Sequence, residues 1–196
     1  MENKYWQDRL ADAQAALTNK NISQVEKQIK KYYRTAAKRV IEDFIAVYEK
    51  LVAKQEAGEE VTPADLYKLD KYWQAQAQMR LELQKLGEKE VTALTKVMEA
   101  EYFDIYYSIA LTGHTAFNTI SKEGVTQMVN SIWVADGKNW SQRIWGNTNE
   151  LLDTLNEGLI HCLVTGKKTT ELKNVLQDRF NVSYHRADSL VRTEMA

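Results

Sequence analysis

Side chains suited to chemistry are few in this chain, and they are scattered. His114, His161 and His185 lie far apart, and no His/Asp/Glu set has the close spacing that holds a metal ion. Cys162 is the single cysteine, which excludes an internal disulfide and a cysteine-based zinc cage. Its position on an apolar helix face reads as a buried, inert thiol. No glycine-rich phosphate loop, nucleophile elbow or pair of catalytic carboxylates occurs in the sequence. The expectation is a protein without catalytic residues, metal, cofactor or small-molecule substrate, one that works by binding.

Three groupings could carry such binding. Trp133, Trp140 and Trp145 place three of the five tryptophans close together, with Arg143 between them. Indoles of this size anchor cores or interfaces, and a guanidinium can stack on them. Both readings stand, with Trp140, Arg143 and Trp145 as the candidate interface. Near the other end of this region lie Arg192, Thr193 and Glu194. Arg192 has a planar fork suited to a carboxylate or to helix-end carbonyls. Glu194, two positions on, faces another side and needs its own partner; both are candidate contact residues. The third grouping is Lys27, Lys30, Lys31, Arg34, Lys38 and Arg39, with no acid between its ends. Helical steps put most of these on one face, which is either a solvated surface or a contact for DNA phosphates with steep salt dependence. A fourth pattern, two short helices over 170–180 and 184–195, could be read as helix-turn-helix. Its six Lys/Arg against four Asp/Glu over residues 167–196 are a weak surplus for a major-groove reader.

The elements that must position these residues read as helices. One proline and eight glycines in 196 residues leave long stretches without breakers. Net charge is −1, so no global field points to nucleic acid or membrane. The start, MENKYWQDRL, has no apolar signal region, and no apolar run is long enough to span a membrane. A short amphipathic helix is expected over 2–17. A long one follows over 22–56, on the stripe Ile22, Val25, Ile29, Tyr32, Ala36, Val40, Phe44, Val47 and Leu51; it would be about 50 Å long. Gly58 closes it, and Thr62-Pro63-Ala64-Asp65 starts the next. That helix carries Leu66, Leu69, Trp73, Ala77, Leu83 and Leu86 inward, with Gly87 as a bend or break, and resumes to Gly113. Further helices are expected over Ser121–Val134 and from about Ser141 to Val164, followed by the two short ones. The fold class is therefore all-α: a long antiparallel helical arm over 1–113, then a compact helical head over 114–196.

The segment Asp136-Gly137-Lys138-Asn139-Trp140-Ser141-Gln142-Arg143-Ile144-Trp145, followed after two helical stretches by Arg192-Thr193-Glu194, resembles the minor head protein (Mu F-like head morphogenesis) family of tailed bacteriophages. The resemblance covers roughly the last quarter of the chain. It implies a low-copy virion component, made in the bacterial cytoplasm and incorporated during head assembly. Its implied partners are portal or capsid proteins, with packaged DNA as a further contact. In that family the Arg-Thr-Glu signature resembles a packing element, not a catalytic one. Family members are typically longer, some with further domains after this helix. The alternative reading is a helical DNA-associating protein that uses the basic face 27–39.

Overall fold

The computed structural model describes the backbone of residues 2–112, 119–132 and 137–195, with side chains over the same stretches apart from 2–10, 13 and 109–112. Among the described residues there are six helices and no strand, an all-α fold. They are α1 (Glu2–Glu56), α2 (Pro63–Tyr67), α3 (Asp70–Thr112), α4 (Lys122–Val129), α5 (Trp140–Val164) and α6 (Thr169–Met195). Gly113, His114, Trp133, Val134 and Asp136 lie outside the described residues, as does the expected boundary near 113.

The four long helices form a ring in which α1 packs on α3, α3 on α5, α5 on α6, and α6 back on α1. Pairs across each contact run in opposite directions along the chain. On α1 and α3, Asn21 meets Glu101 and Arg39 meets Glu82; on α3 and α5, Gln76 meets Asn156 and Gly87 meets Trp145. On α1 and α6, Glu26 meets Arg192 and Tyr48 meets the carbonyl of Lys167. The result is an up-down-up-down four-helix bundle. One core cluster runs through all four helices, from Val25 and Phe44 to Leu83, Leu155 and Phe180. The stretches expected as arm and head thus contribute to a single interior.

Several helices differ from the expected ones, each for a local reason. No break separates 2–17 from 22–56. Thr18 and Asn21 bond Glu101 on α3 at 2.9 and 2.6 Å, so their side chains do not compete for the backbone. The inward stripe takes Tyr33, not Tyr32, which is half-buried. Gly58, at φ +83°, closes α1, and the Glu59 N–H reaches back to the Lys54 carbonyl at 3.0 Å.

The Thr62-Pro63 start produces only the short α2. The Asp65 carboxylate accepts the Thr62 N–H and hydroxyl at 3.0 and 2.8 Å, the chain turns at Lys68–Leu69, and α3 begins afresh at Asp70. That restart resets the register. Tyr72, Ala75 and Met79 face inward, whereas Trp73 is 55% exposed and Ala77 is also exposed, both contrary to expectation. Trp73 donates its indole N–H to the Tyr67 carbonyl at 2.8 Å and packs among Tyr67 and Tyr72.

Gly87 does not break α3. A methyl group there would come within 2.7 Å of the Trp145 indole, so the glycine is space for that ring. α4 starts after Ser121, whose hydroxyl accepts the Gly124 N–H at 3.0 Å, and stops at Val129. α5 is opened by Asn139 and Gln142, which bond each other's backbone N–H at 2.9 Å.

Residues 169–195 form one helix instead of two. Leu172, Leu176, Phe180, Ser183, Ala187, Val191 and Met195 make an unbroken inward stripe with a serine in the middle. Without a turn at 181–183, the helix-turn-helix reading is overturned.

Candidate functional site

Of the expected interface residues, Trp140 is 1% exposed and donates its indole N–H to the Val129 carbonyl at 3.0 Å, joining α5 to the end of α4. It is a core residue of this chain. Trp145 is half-buried against Gly87. Arg143 is half-buried on the wall of a hollow between α5 and α6. Arg192 bridges helices: it meets Glu26 on α1 at 2.7 Å and Asp188 at 3.4 Å on its own helix. Glu194 faces elsewhere, lining a smaller hollow with Met98, Tyr102 and Met128. The structure therefore does not gather these five residues on one surface. Cys162 is fully buried, as expected, and burial raises its thiol pKa.

The six basic residues do share one exposed face of α1 and line a shallow surface hollow together. Arg39 is tied to Glu82 at 2.8 Å, and Lys38 stands 4.0 Å from Glu42. For Lys27, Lys30, Lys31 and Arg34 no acidic partner lies within ion-pair distance among the described residues. Lys30 sits 6.0 Å from the centre of the Tyr184 ring.

The most unusual chemistry lies where sequence reading placed nothing. Midway along the bundle each long helix sends one polar side chain inward: Tyr33 from α1, Glu90 from α3, Asn147 from α5 and Ser183 from α6. Tyr33, Glu90 and Ser183 are 3%, 1% and 3% exposed. The Asn147 amide nitrogen donates to the Tyr33 hydroxyl and to the Ser183 carbonyl, both at 3.0 Å, and the Tyr33 and Ser183 hydroxyls lie 3.2 Å apart. Since the Ser183 carbonyl can only accept, this amide has one orientation, with its oxygen turned away from Ser183. That oxygen, Asn147 Oδ1, and Glu90 Oε1 are both buried without a hydrogen-bond partner.

Burial pushes the Glu90 carboxyl up to about 8, although a hydrogen bond from Tyr33 opposes the shift. The Tyr33 hydroxyl is itself held well above its usual range, by burial first and by Glu90 second. The carboxyl thus keeps its proton at neutral pH, because a bare charge in this interior would be costly. Glu90 and Asn147 both line the hollow between α5 and α6, about 880 Å³ in volume. A signal for this cluster does exist in the sequence. Glu90 falls four residues after Leu86 and four before Leu94, on the inward stripe of α3, and Ser183 interrupts the α6 stripe in the same way.

Among the described residues no three His, Cys, Asp or Glu gather as metal ligands would, and no helix is long and apolar enough to cross a membrane. Compared with known proteins, the chain matches no protein-family model, and no curated protein or solved structure shows significant similarity to it.

Proposed function

We propose that this chain is a structural component of a phage head, resembling the minor head proteins, incorporated near the portal and acting through protein contacts. The observation that supports this reading is the role of the Arg-Thr-Glu helix. Arg192 pairs with Glu26 of α1 at 2.7 Å, a contact between helices of the kind the resemblance implies for this signature. The long α1 adds to it. Near its start, among the described side chains, Ala11, Asp12, Ala15, Ala16 and Leu17 are exposed and offer surface to a partner.

Quantitative mass spectrometry of purified phage particles and procapsids tests this. The chain is expected in both, in far fewer copies than the major capsid protein. Its absence from both would defeat the reading.

The basic face favours a second reading, DNA association. Lys27, Lys30, Lys31 and Arg34 project from one face of α1 without acidic partners among the described residues. A salt titration of duplex binding discriminates, because phosphate contacts give an affinity that falls steeply with salt. Changing Lys27, Lys30, Arg34 and Lys38 together to Gln should remove that binding if the face is responsible.

A further inference from the structure

We infer that the hollow between α5 and α6 is a binding site for an alkyl-ammonium group, whose N–H donors meet Glu90 Oε1 and Asn147 Oδ1 at its floor. Glu90 Oε1 and Asn147 Oδ1 are acceptors without donors, and both belong to residues that line this one hollow. Leaving such atoms unmatched costs roughly 1–3 kcal/mol each. The Asn147 amide cannot turn to relieve the mismatch, because its nitrogen is held by the Ser183 carbonyl and the Tyr33 hydroxyl. What these two oxygens lack is donors, and an ammonium brings three.

The walls fit the rest of such a ligand. Ile144 from α5 and Val182, Ala187 and Leu190 from α6 give an apolar lining suited to a short alkyl chain. Val182 is 50% exposed at this surface, an uncovered aliphatic side chain that a bound chain would shield. The cations at the rim are engaged within the protein. Arg186 is matched by Glu150 at 2.5 Å, and Arg143 and Lys138 each hold an interaction within the protein, although the Arg143 Nε is buried outside any hydrogen bond. His185 also borders the hollow, and Tyr33 reaches Glu90 from α1. Charge balance then fixes the stoichiometry of binding. At neutral pH Glu90 holds a proton, and an incoming ammonium replaces that proton, which leaves to solvent.

Isothermal titration calorimetry of the full chain with n-propylammonium chloride at pH 7, in phosphate and in Tris, tests the inference. Saturable heat is expected, and the difference between the two buffers should correspond to about one proton released per ligand. Tetramethylammonium, which has no N–H, should give no saturable heat. E90Q should weaken binding roughly tenfold or more, since a charge-assisted hydrogen bond is lost.

G146L guards against misfolding as an explanation. A Cβ at Gly146 would meet nothing within 4 Å, and the residue stands at the lining of the hollow. This variant should therefore obstruct the site while keeping, or slightly raising, the melting temperature, because leucine is the better helix former. Saturable binding of tetramethylammonium, undiminished binding to E90Q or G146L, or no saturable heat from n-propylammonium would each overturn the inference.

Discussion

Two tyrosines of α1 reach into the interior of this bundle and do opposite things there. The Tyr48 hydroxyl lies 2.9 Å from the Cys162 carbonyl and 2.6 Å from that of Lys167. It seals the α5–α6 turn, where Gly166 takes φ +60° and the Lys167 N–H reaches back to the Cys162 carbonyl at 2.9 Å. No buried side-chain nitrogen or oxygen among the described residues of that junction lacks a partner, and burial raises the hydroxyl pKa to about 12, so it stays a donor across the ordinary pH range. Four turns earlier Tyr33 enters a cluster that is not balanced. Glu90 and Asn147 each keep a buried oxygen without a donor. A satisfied buried polar group fixes geometry, whereas a partly satisfied one costs stability. The difference separates a fastening from a site.

The largest expected effect comes from removing the titratable carboxyl of the unbalanced cluster. The Glu90 carboxyl titrates near 8 in the folded chain, against an ordinary 4.5. Between those values the unfolded chain has lost this proton while the folded chain keeps it. Stability must therefore fall as pH rises through that window, by up to about 1.4 kcal/mol per pH unit. Glu90→Gln should consequently stabilise the protein, little at pH 5 and by on the order of a few kcal/mol at pH 8. Urea melts of both proteins across that range would check this. A constant or negative difference would mean that the carboxyl is ionised and well solvated.

Gly87→Ala is the next test, because it probes the α3–α5 contact three residues from Glu90. The added methyl would meet the Trp145 ring at 2.7 Å. A loss of roughly 1–3 kcal/mol is expected despite the better helix propensity of alanine. Combining it with Trp145→Leu should recover part of that loss, as a double-mutant cycle would measure.

At the balanced junction, Tyr48→Phe should cost about 1–2 kcal/mol, with little change between pH 5 and pH 8, since it strips a donor from buried carbonyls. A strong pH dependence here would erase the contrast between the two tyrosines. Smallest of all should be Thr62→Ala, at about 1 kcal/mol or less by thermal melting. The exposed Thr62 bonds only Asp65 and holds a five-residue helix.

Much of this architecture was legible in the sequence, for reasons that the same residues explain. The scarcity of breakers and the stripe through Val25, Phe44 and Leu51 specify helices whatever their partners. Leu151, Leu155, Leu159 and Leu163 likewise face the core as their spacing requires. Sequence reading went astray where a residue's role depends on a distant neighbour. Gly87 looks like a break until Trp145 is seen to need the space. The gap expected between 17 and 22 closes because Thr18 and Asn21 reach Glu101 on α3. Trp73 looks like core until the turn at Lys68–Leu69 rotates α3. The polar cluster was hidden because Tyr33, Glu90, Asn147 and Ser183 lie on four different helices, and an acid on an apolar stripe gives no hint of what it faces.

The contrast between the two tyrosines rests on the protonation of one carboxyl, which can be observed directly. Carbon-13 labelling of the glutamate side chains and an NMR titration from pH 4 to pH 10 would follow the Glu90 carboxyl, assigned by its absence from E90Q. A midpoint near 8, well above the other glutamates, is the expected result. A midpoint near the ordinary 4.5 would contradict the account, because Glu90 would then be a solvated, charged residue and the cluster around it an ordinary part of the bundle.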